Sequence, residues 1–244
     1  MLFFRKITLF ISVTLLIGCV SPKTVSTTEA NYQEDILLRV KNYSGLINLY
    51  RTWLKKKDDP ETRLKLARYY YLAGDYKTSL YTLQPLINKP SQPLYQLQAQ
   101  NMIALGDFAQ AIRVTDKMML RDKNNAEAWN LRGVAQALSG KLSEGKQSVE
   151  QARALFIADD VALNNLAMVA ILDRRYQDAV GLLLPQYLRG RKDERILRNL
   201  VLSLVKVGDF RYARDVIRDE NLSQHPDELI SALKQITTTG RSLG

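Results

Sequence analysis

Residues 126–145 read AEAWNLRGVAQALSGKLSEG, and this stretch decides the fold. Gly140 stands where a run of helix-forming residues must stop, because glycine takes the left-handed conformation that ends a helix at little steric cost. Seven residues before it stands Gly133, two after it Leu142, and five after it Gly145. The phrase recurs on both sides as LAGDYKTS (72–79), ALGDFAQA (104–111), LDRRYQDA (172–179) and KVGDFRYA (206–213). The anchors Gly74, Gly106, Gly140, Arg174 and Gly208 are spaced by 32, 34, 34 and 34 residues. Seven residues before each anchor stand Ala67, Ala99, Gly133, Ala167 and Val201. Two after it stand Tyr76, Phe108, Leu142, Tyr176 and Phe210, and five after it Ser79, Ala111, Gly145, Ala179 and Ala213.

The pattern describes two antiparallel helices per unit. The anchor ends the first helix, small residues on both helices let them approach closely, and the residue just past the turn fills the gap to the next pair. One pair cannot bury its apolar face alone, so the core must come from stacking. The expected pairs are 60–73/75–88, 92–105/107–120, 126–139/141–156, 160–173/175–188 and 193–207/209–219. Residues 31–59 are expected to form one more, degenerate pair. Pro226-Asp227-Glu228 is a helix start, with proline at the first position and acids in the first turn, so 226–244 should be a capping helix and tail. Pro85 and Pro185, each eleven residues after its anchor, should kink or end their helices early.

This resembles the tetratricopeptide repeat, most closely at Trp129 with Gly133 and at Asn165-Leu166-Ala167. The resemblance implies an all-α tetratricopeptide-repeat α-solenoid, a right-handed superhelix of antiparallel helix pairs, with five repeats over 60–225. Arg174 departs from the pattern, at a cost of about 1 kcal/mol if it adopts positive φ. The closing proline of the repeat is missing, and the third copy carries Gly145 in its second helix.

The N-terminus reads as an address. Arg5 and Lys6 precede an apolar run from Ile7 to Ile17, roughly half the length that crosses a bilayer. Leu16-Ile17-Gly18-Cys19 then resembles the bacterial lipobox. The resemblance implies a lipoprotein: a signal peptide over 1–18, cleavage before Cys19, and fatty acids such as palmitate on that cysteine. Val20, where an Asp would favour inner-membrane retention, implies the outer membrane of a Gram-negative bacterium and a periplasmic body. Residues 19–30, with the polar run SPKTVSTTEA, are expected to be a flexible tether with a reach of roughly 16–19 Å over its ten polar residues.

The chain has 244 residues, a net charge of +10, one histidine and one cysteine. Loss of Arg5 and Lys6 with the leader lowers that charge by two. A single cysteine excludes an internal disulfide, and His225 alone excludes a two-histidine metal site. His225 before Pro226 suits a surface helix cap. Asp58-Asp59 and Asp159-Asp160 suit helix starts, and their separation in sequence speaks against a paired-carboxylate hydrolase. No enzyme, no catalytic residue, no metal and no cofactor beyond the lipid is expected, and no small-molecule substrate. Export argues against nucleic acid despite the charge. The basic run Arg189, Arg191, Lys192, Arg195 and Arg198 is read first as a solvated loop and helix start, and second as a contact for an acidic partner or lipid head groups.

In tetratricopeptide repeats the first helix of each pair lines the concave face. Carried over, the partner-binding groove comprises Arg68, Tyr71, Gln96, Gln100, Asn130, Asn164, Met168 and Arg198, with Leu64, Val134 and Leu202 beside them. Amides are expected to pair a peptide backbone and the apolar residues to take side chains. Leu64 and Gln100 replace the residues that would clamp a C-terminal carboxylate.

The segment RILRNLVLSLVKVGDFRYA (195–213) resembles the TadD lipoproteins of tight adherence (Flp) pilus systems. That resemblance implies an outer-membrane lipoprotein for pilus assembly, a pilotin that binds the secretin and assists its localisation. A type IVa pilus pilotin, a lipoprotein regulator of a peptidoglycan synthase or hydrolase, and a component of a β-barrel insertion complex are the alternatives.

Overall fold

The computed structural model describes residues 27–236, with side chains from residue 32 onward. Cys19, the signal peptide, the first part of the tether and the tail after Ile236 lie outside the described residues. The described chain is helical and separates into α1 (Thr27–Arg39) with the turn that ends at Asn42, and a second compact unit from Tyr43 onward. Helix α1 begins inside the segment read as tether. The second unit opens with α2 (Tyr43–Lys56), so the two helices of the segment 31–59 fall in different units. Leu46 and Tyr50 of α2 are buried, and α2 packs on the next helix, where Tyr50 meets Trp53 of its own helix and Tyr69 of the next at ring-centroid distances of 4.7 and 5.0 Å.

Five helix pairs follow: α3 (Pro60–Leu72) with α4 (Tyr76–Leu83), α5 (Gln92–Ala104) with α6 (Phe108–Arg121), and α7 (Ala126–Leu138) with α8 (Leu142–Ala154). Then come α9 (Asp159–Leu172) with α10 (Tyr176–Leu188), α11 (Glu194–Val207) with α12 (Phe210–Asp219), and the cap α13 (Pro226–Gln235). Each pair packs on the next, and the first helices α3, α5, α7, α9 and α11 also touch in sequence. The result is the all-α tetratricopeptide solenoid expected from the repeat.

The turns show why the boundaries fall where they do. After α3, Gly74 N–H donates to Tyr71 O and Asp75 N–H to Tyr70 O, with Gly74 at φ 82°, which satisfies the last carbonyls of the helix. The Asp75 carboxylate then accepts from Thr78 N–H and starts α4. Gly106-Asp107 and Gly208-Asp209 repeat the arrangement. In the fourth repeat Arg174 takes the left-handed conformation itself, at φ 59°. Arg175 follows without a side-chain cap and instead bonds Asp173 and Asp178 on either side of the turn.

The small positions behave as the spacing predicts, most tightly in the third pair. A Cβ on Gly133 would meet Gly145 O at 2.8 Å and a Val149 methyl at 2.6 Å, and one on Gly145 would meet Ala137 N at 2.8 Å. Here the two helices touch backbone to backbone. The region from α9 onward differs: Leu183, Ile196, Leu200, Leu204 and Ile217 form one continuous aliphatic core running from α9 to α13.

The two prolines part ways. Helix α4 stops at Leu83 and gives way to a 3-10 turn, Gln84–Leu86, at Pro85. Helix α10 runs through Pro185 to Leu188, so of the kink or early end expected there the early end does not occur. The difference lies in what holds the final turn. Leu183 and Gln186 are buried and Tyr187 donates to Glu220 at 3.0 Å, whereas Ile87 after Pro85 is half exposed. The side chain of His225 occupies a helix N-cap without capping it, since no side-chain bond to the helix start is made. Asp59 caps α3 through Thr62 N–H as expected, while Asp159 pairs with Arg153 and Ala158 takes the cap position of α9.

Candidate partner-binding groove

The first helices align three positions along one face, near the second, fifth and ninth of each helix, since these recur with the repeat and fall one helical turn apart. On this face two connected hollows open. One, of about 230 Å³, is lined by Leu64, Arg68, Tyr71, Gln96 and Gln100 among others. The other, of about 490 Å³, is lined by Tyr71, Gln100, Asn130, Val134, Asn164, Met168 and Arg198, with Glu127, Val161, Arg195 and Asn199. Tyr71 and Gln100 belong to both. Every groove residue expected from the repeat therefore lies on the wall of one hollow or the other, apart from Leu202.

Their roles divide. Asn130 and Asn164 are only 4% and 5% exposed. Asn165 Nδ2 donates to Asn130 Oδ1 at 2.6 Å, and Asn199 Nδ2 donates to Asn164 Oδ1 at 3.0 Å. Asn164 and Asn165 are themselves linked at 3.4 Å. The amides expected to meet a peptide backbone are thus spent on one another, tying α7, α9 and α11 into a floor. That corrects the expectation drawn from their type. An amide satisfied inside the fold contributes to stability, and its removal leaves a buried partner unpaired. Tyr71, Gln96, Gln100 and Met168 are half-buried and Arg68 and Arg198 exposed, so these remain available on the walls.

Glu127 was not singled out from the sequence. Burial pushes its carboxyl above the ordinary carboxylate range, opposed by side-chain hydrogen bonds from Gln96 and Asn130 and by the charge of Arg195. Burial likewise raises the Tyr71 phenol, with Tyr76 adding to the rise and Arg195 opposing it. Arg195, from the fifth repeat, therefore acts on a phenol of the first across the hollow. Glu127, Val161 and Arg195 are one repeat apart, in the first turn of their helices. The same arithmetic that gave Asn130, Asn164 and Arg198 would have found them one turn earlier. The groove wall is thus an apolar and amide surface with two arginines at one end and one partly buried acid opposite.

The basic run splits in two. Arg195 and Arg198 face the groove, where Arg195 lies 3.5 Å from Asp193 and Arg198 pairs with Glu194. Arg189, Arg191 and Lys192 lie in the turn before α11, where Arg191 is 3.7 Å from Asp160 and Lys192 is 2.6 Å from Glu220. Among the described residues no group of three or more histidine, cysteine or acidic side chains is placed to hold a metal. None of the described helices is long and apolar enough to cross a membrane.

No protein-family model matches the chain, and no curated protein matches it in sequence. Solved structures do match in shape. A thermophilic tetratricopeptide-repeat protein from Thermus thermophilus superposes with a TM-score of 0.64 at 20% identity, covering 74% of this chain and all of its own. A tetratricopeptide-repeat protein from Parabacteroides merdae gives 0.59 at 11% identity, covering 85% of this chain and 83% of its own. MamA from Desulfovibrio magneticus gives 0.51 at 16% identity, covering 70% of this chain and 99% of its own. These likenesses establish the tetratricopeptide-repeat fold.

Proposed function

We propose that the protein is a lipid-anchored scaffold that holds a segment of a partner protein in the groove, and that the partner is the secretin subunit of a tight adherence pilus machine. The groove carries this proposal: hollows of about 490 and 230 Å³ share Tyr71 and Gln100, and their walls alternate apolar and polar groups. Such a surface suits a helix or an extended segment that inserts apolar side chains between Tyr71 and Met168. Arg195 and Arg198 at one end suit an acidic residue of that segment. The lipobox at Cys19, the outer-membrane sorting residue Val20 and the likeness of residues 195–213 to TadD lipoproteins support the address and the partner. A pilotin needs this combination, an anchor in the outer membrane and a body that grips the subunit to be delivered there.

The test is capture of the secretin by the membrane-anchored full-length protein. Gln100→Ala with Met168→Ala is expected to weaken capture at least about tenfold, a loss near 1.4 kcal/mol, with the helical melt close to wild type. Asn130→Ala with Asn164→Ala should act the other way round, lowering the melting temperature because the floor loses its internal bonds. Secretin recovered at wild-type level by the first variant would overturn the groove. Membrane retention of a Cys19→Ser chain that no longer takes up labelled palmitate would overturn the anchor.

A further inference from the structure

The turns that join one repeat to the next lie side by side along one edge of the solenoid. Arg121 donates to Pro90 O at 2.8 Å and Gln92 to Met118 O at 3.2 Å, linking the first two. Arg191 with Asp160 and Lys192 with Glu220 link the later ones. At the end of each of the first four second helices this edge puts an apolar side chain into solvent. Ile87 is 49% exposed, Leu120 83%, Phe156 94% and Leu188 69%. Phe156 is the extreme case, since it also holds φ 65°, a conformation that a bulky residue adopts only at a cost. Nothing in the fold is gained by an aromatic there. On the opposite edge the turns at Asp75, Asp107 and Asp209 are built from helix-capping acids, and Leu72, Leu105 and Val207 are 37%, 41% and 38% exposed.

The same edge carries an excess of positive charge. Asp159, Asp160, Asp193 and Glu194 are each paired with an arginine. Lys89, Arg121, Lys123 and Arg189 have no carboxylate partner among the described residues, and Asp122 is the acid left between them. One protruding apolar side chain per turn, with unpaired cations between, differs from the contiguous apolar core of a protein interface. It suits a phospholipid surface, where single side chains enter the acyl boundary and cations meet the phosphates.

We infer that this edge, through Ile87, Leu120, Phe156 and Leu188 with Lys89, Arg121, Lys123 and Arg189, docks on an anionic phospholipid surface. The inference draws support from the proposed lipid anchor, which would keep the body beside such a surface, but the edge can be examined without it. Docked in this way, the body presents its groove alongside the membrane plane, where a subunit awaiting insertion would be met.

The experiment replaces the native Trp53 and Trp129 by phenylalanine, places a single tryptophan at the edge in the full chain, and mixes it with vesicles of phosphatidylethanolamine containing one-quarter phosphatidylglycerol, brominated on the acyl chains. Emission from Phe156→Trp is expected to shift to the blue and to be quenched about twofold as the indole enters the acyl boundary. Leu105→Trp, in the turn between α5 and α6 on the opposite edge, should stay unquenched. Lys89→Glu, Lys123→Glu and Arg189→Glu together should weaken the vesicle partition about a hundredfold. A Phe156→Trp chain with unshifted, unquenched emission would overturn the inference. So would protection of that tryptophan by a co-purifying protein with no response to lipid. A chain that is quenched but carries no acyl group on Cys19 by mass spectrometry would keep the edge and remove the anchor, so the two fail separately.

Discussion

The third helix pair and the region that follows it obey one repeat pattern with opposite kinds of packing. Helices α7 and α8 meet backbone to backbone at Gly133 and Gly145. Helices α9 to α13 are held apart by interlocking aliphatic side chains, with only alanines and Val201 at the close positions. The comparison shows that a small residue at a fixed place in the repeat can serve either contact or spacing, depending on what its neighbours supply. The two regions should therefore fear opposite changes, one added volume and the other lost volume.

The largest effect is expected from emptying the aliphatic region. Leu200 is fully buried, and Leu200→Ala should cost roughly 2–5 kcal/mol, read as a fall in the midpoint of urea unfolding. Because neighbouring repeats support one another, the loss should extend into α9 and α12. Filling the contact region comes next. Gly133→Ala adds one methyl where backbone already stands at 2.8 Å, so it should destabilise by about 1–3 kcal/mol in spite of alanine's better helix propensity. An unchanged melt would mean the helices can separate without loss, and the contrast between the two regions would disappear. The smallest change should stabilise. Arg174→Gly relieves a left-handed residue in the fourth turn, for up to about 1 kcal/mol, less whatever the glycine adds to unfolded-state entropy. Thermal melts resolve a shift of this size, and a fall would show that the Arg174 side chain is needed where it stands.

The helices were legible because their ends are chemical. Glycine with aspartate stops one helix and starts the next within two residues, so observed boundaries fall within a few residues of those expected from the repeat. The different behaviour of Pro85 and Pro185 was not legible, since it depends on burial of Leu183 and Gln186 and on the Tyr187–Glu220 bond. These are properties of neighbouring repeats, invisible from the proline itself. Groove positions could be placed by register alone, yet register says only which way a side chain points. Whether Asn130 faces a ligand or another asparagine depended on Asn165, one residue out of step with the repeat. The acid Glu127 was likewise in plain view in the pattern, but its raised carboxyl arises from surroundings that no spacing reveals.

The out-of-step pairing of Asn130 with Asn165 and of Asn164 with Asn199 has a mechanical consequence. Each bond joins residues 35 apart in a chain whose unit is 34, so it fixes how far one first helix can slide along the next. Repeats three to five are latched at a set pitch by neutral amide pairs, whereas α5 reaches α7 through Gln96, the residue at the corresponding place, which hydrogen-bonds the Glu127 carboxyl. The pitch of the groove is thus set by amides alone over one part and through an ionisable acid over the other. A partner whose charge changes the state of Glu127 would act on the second part and leave the first as it stands.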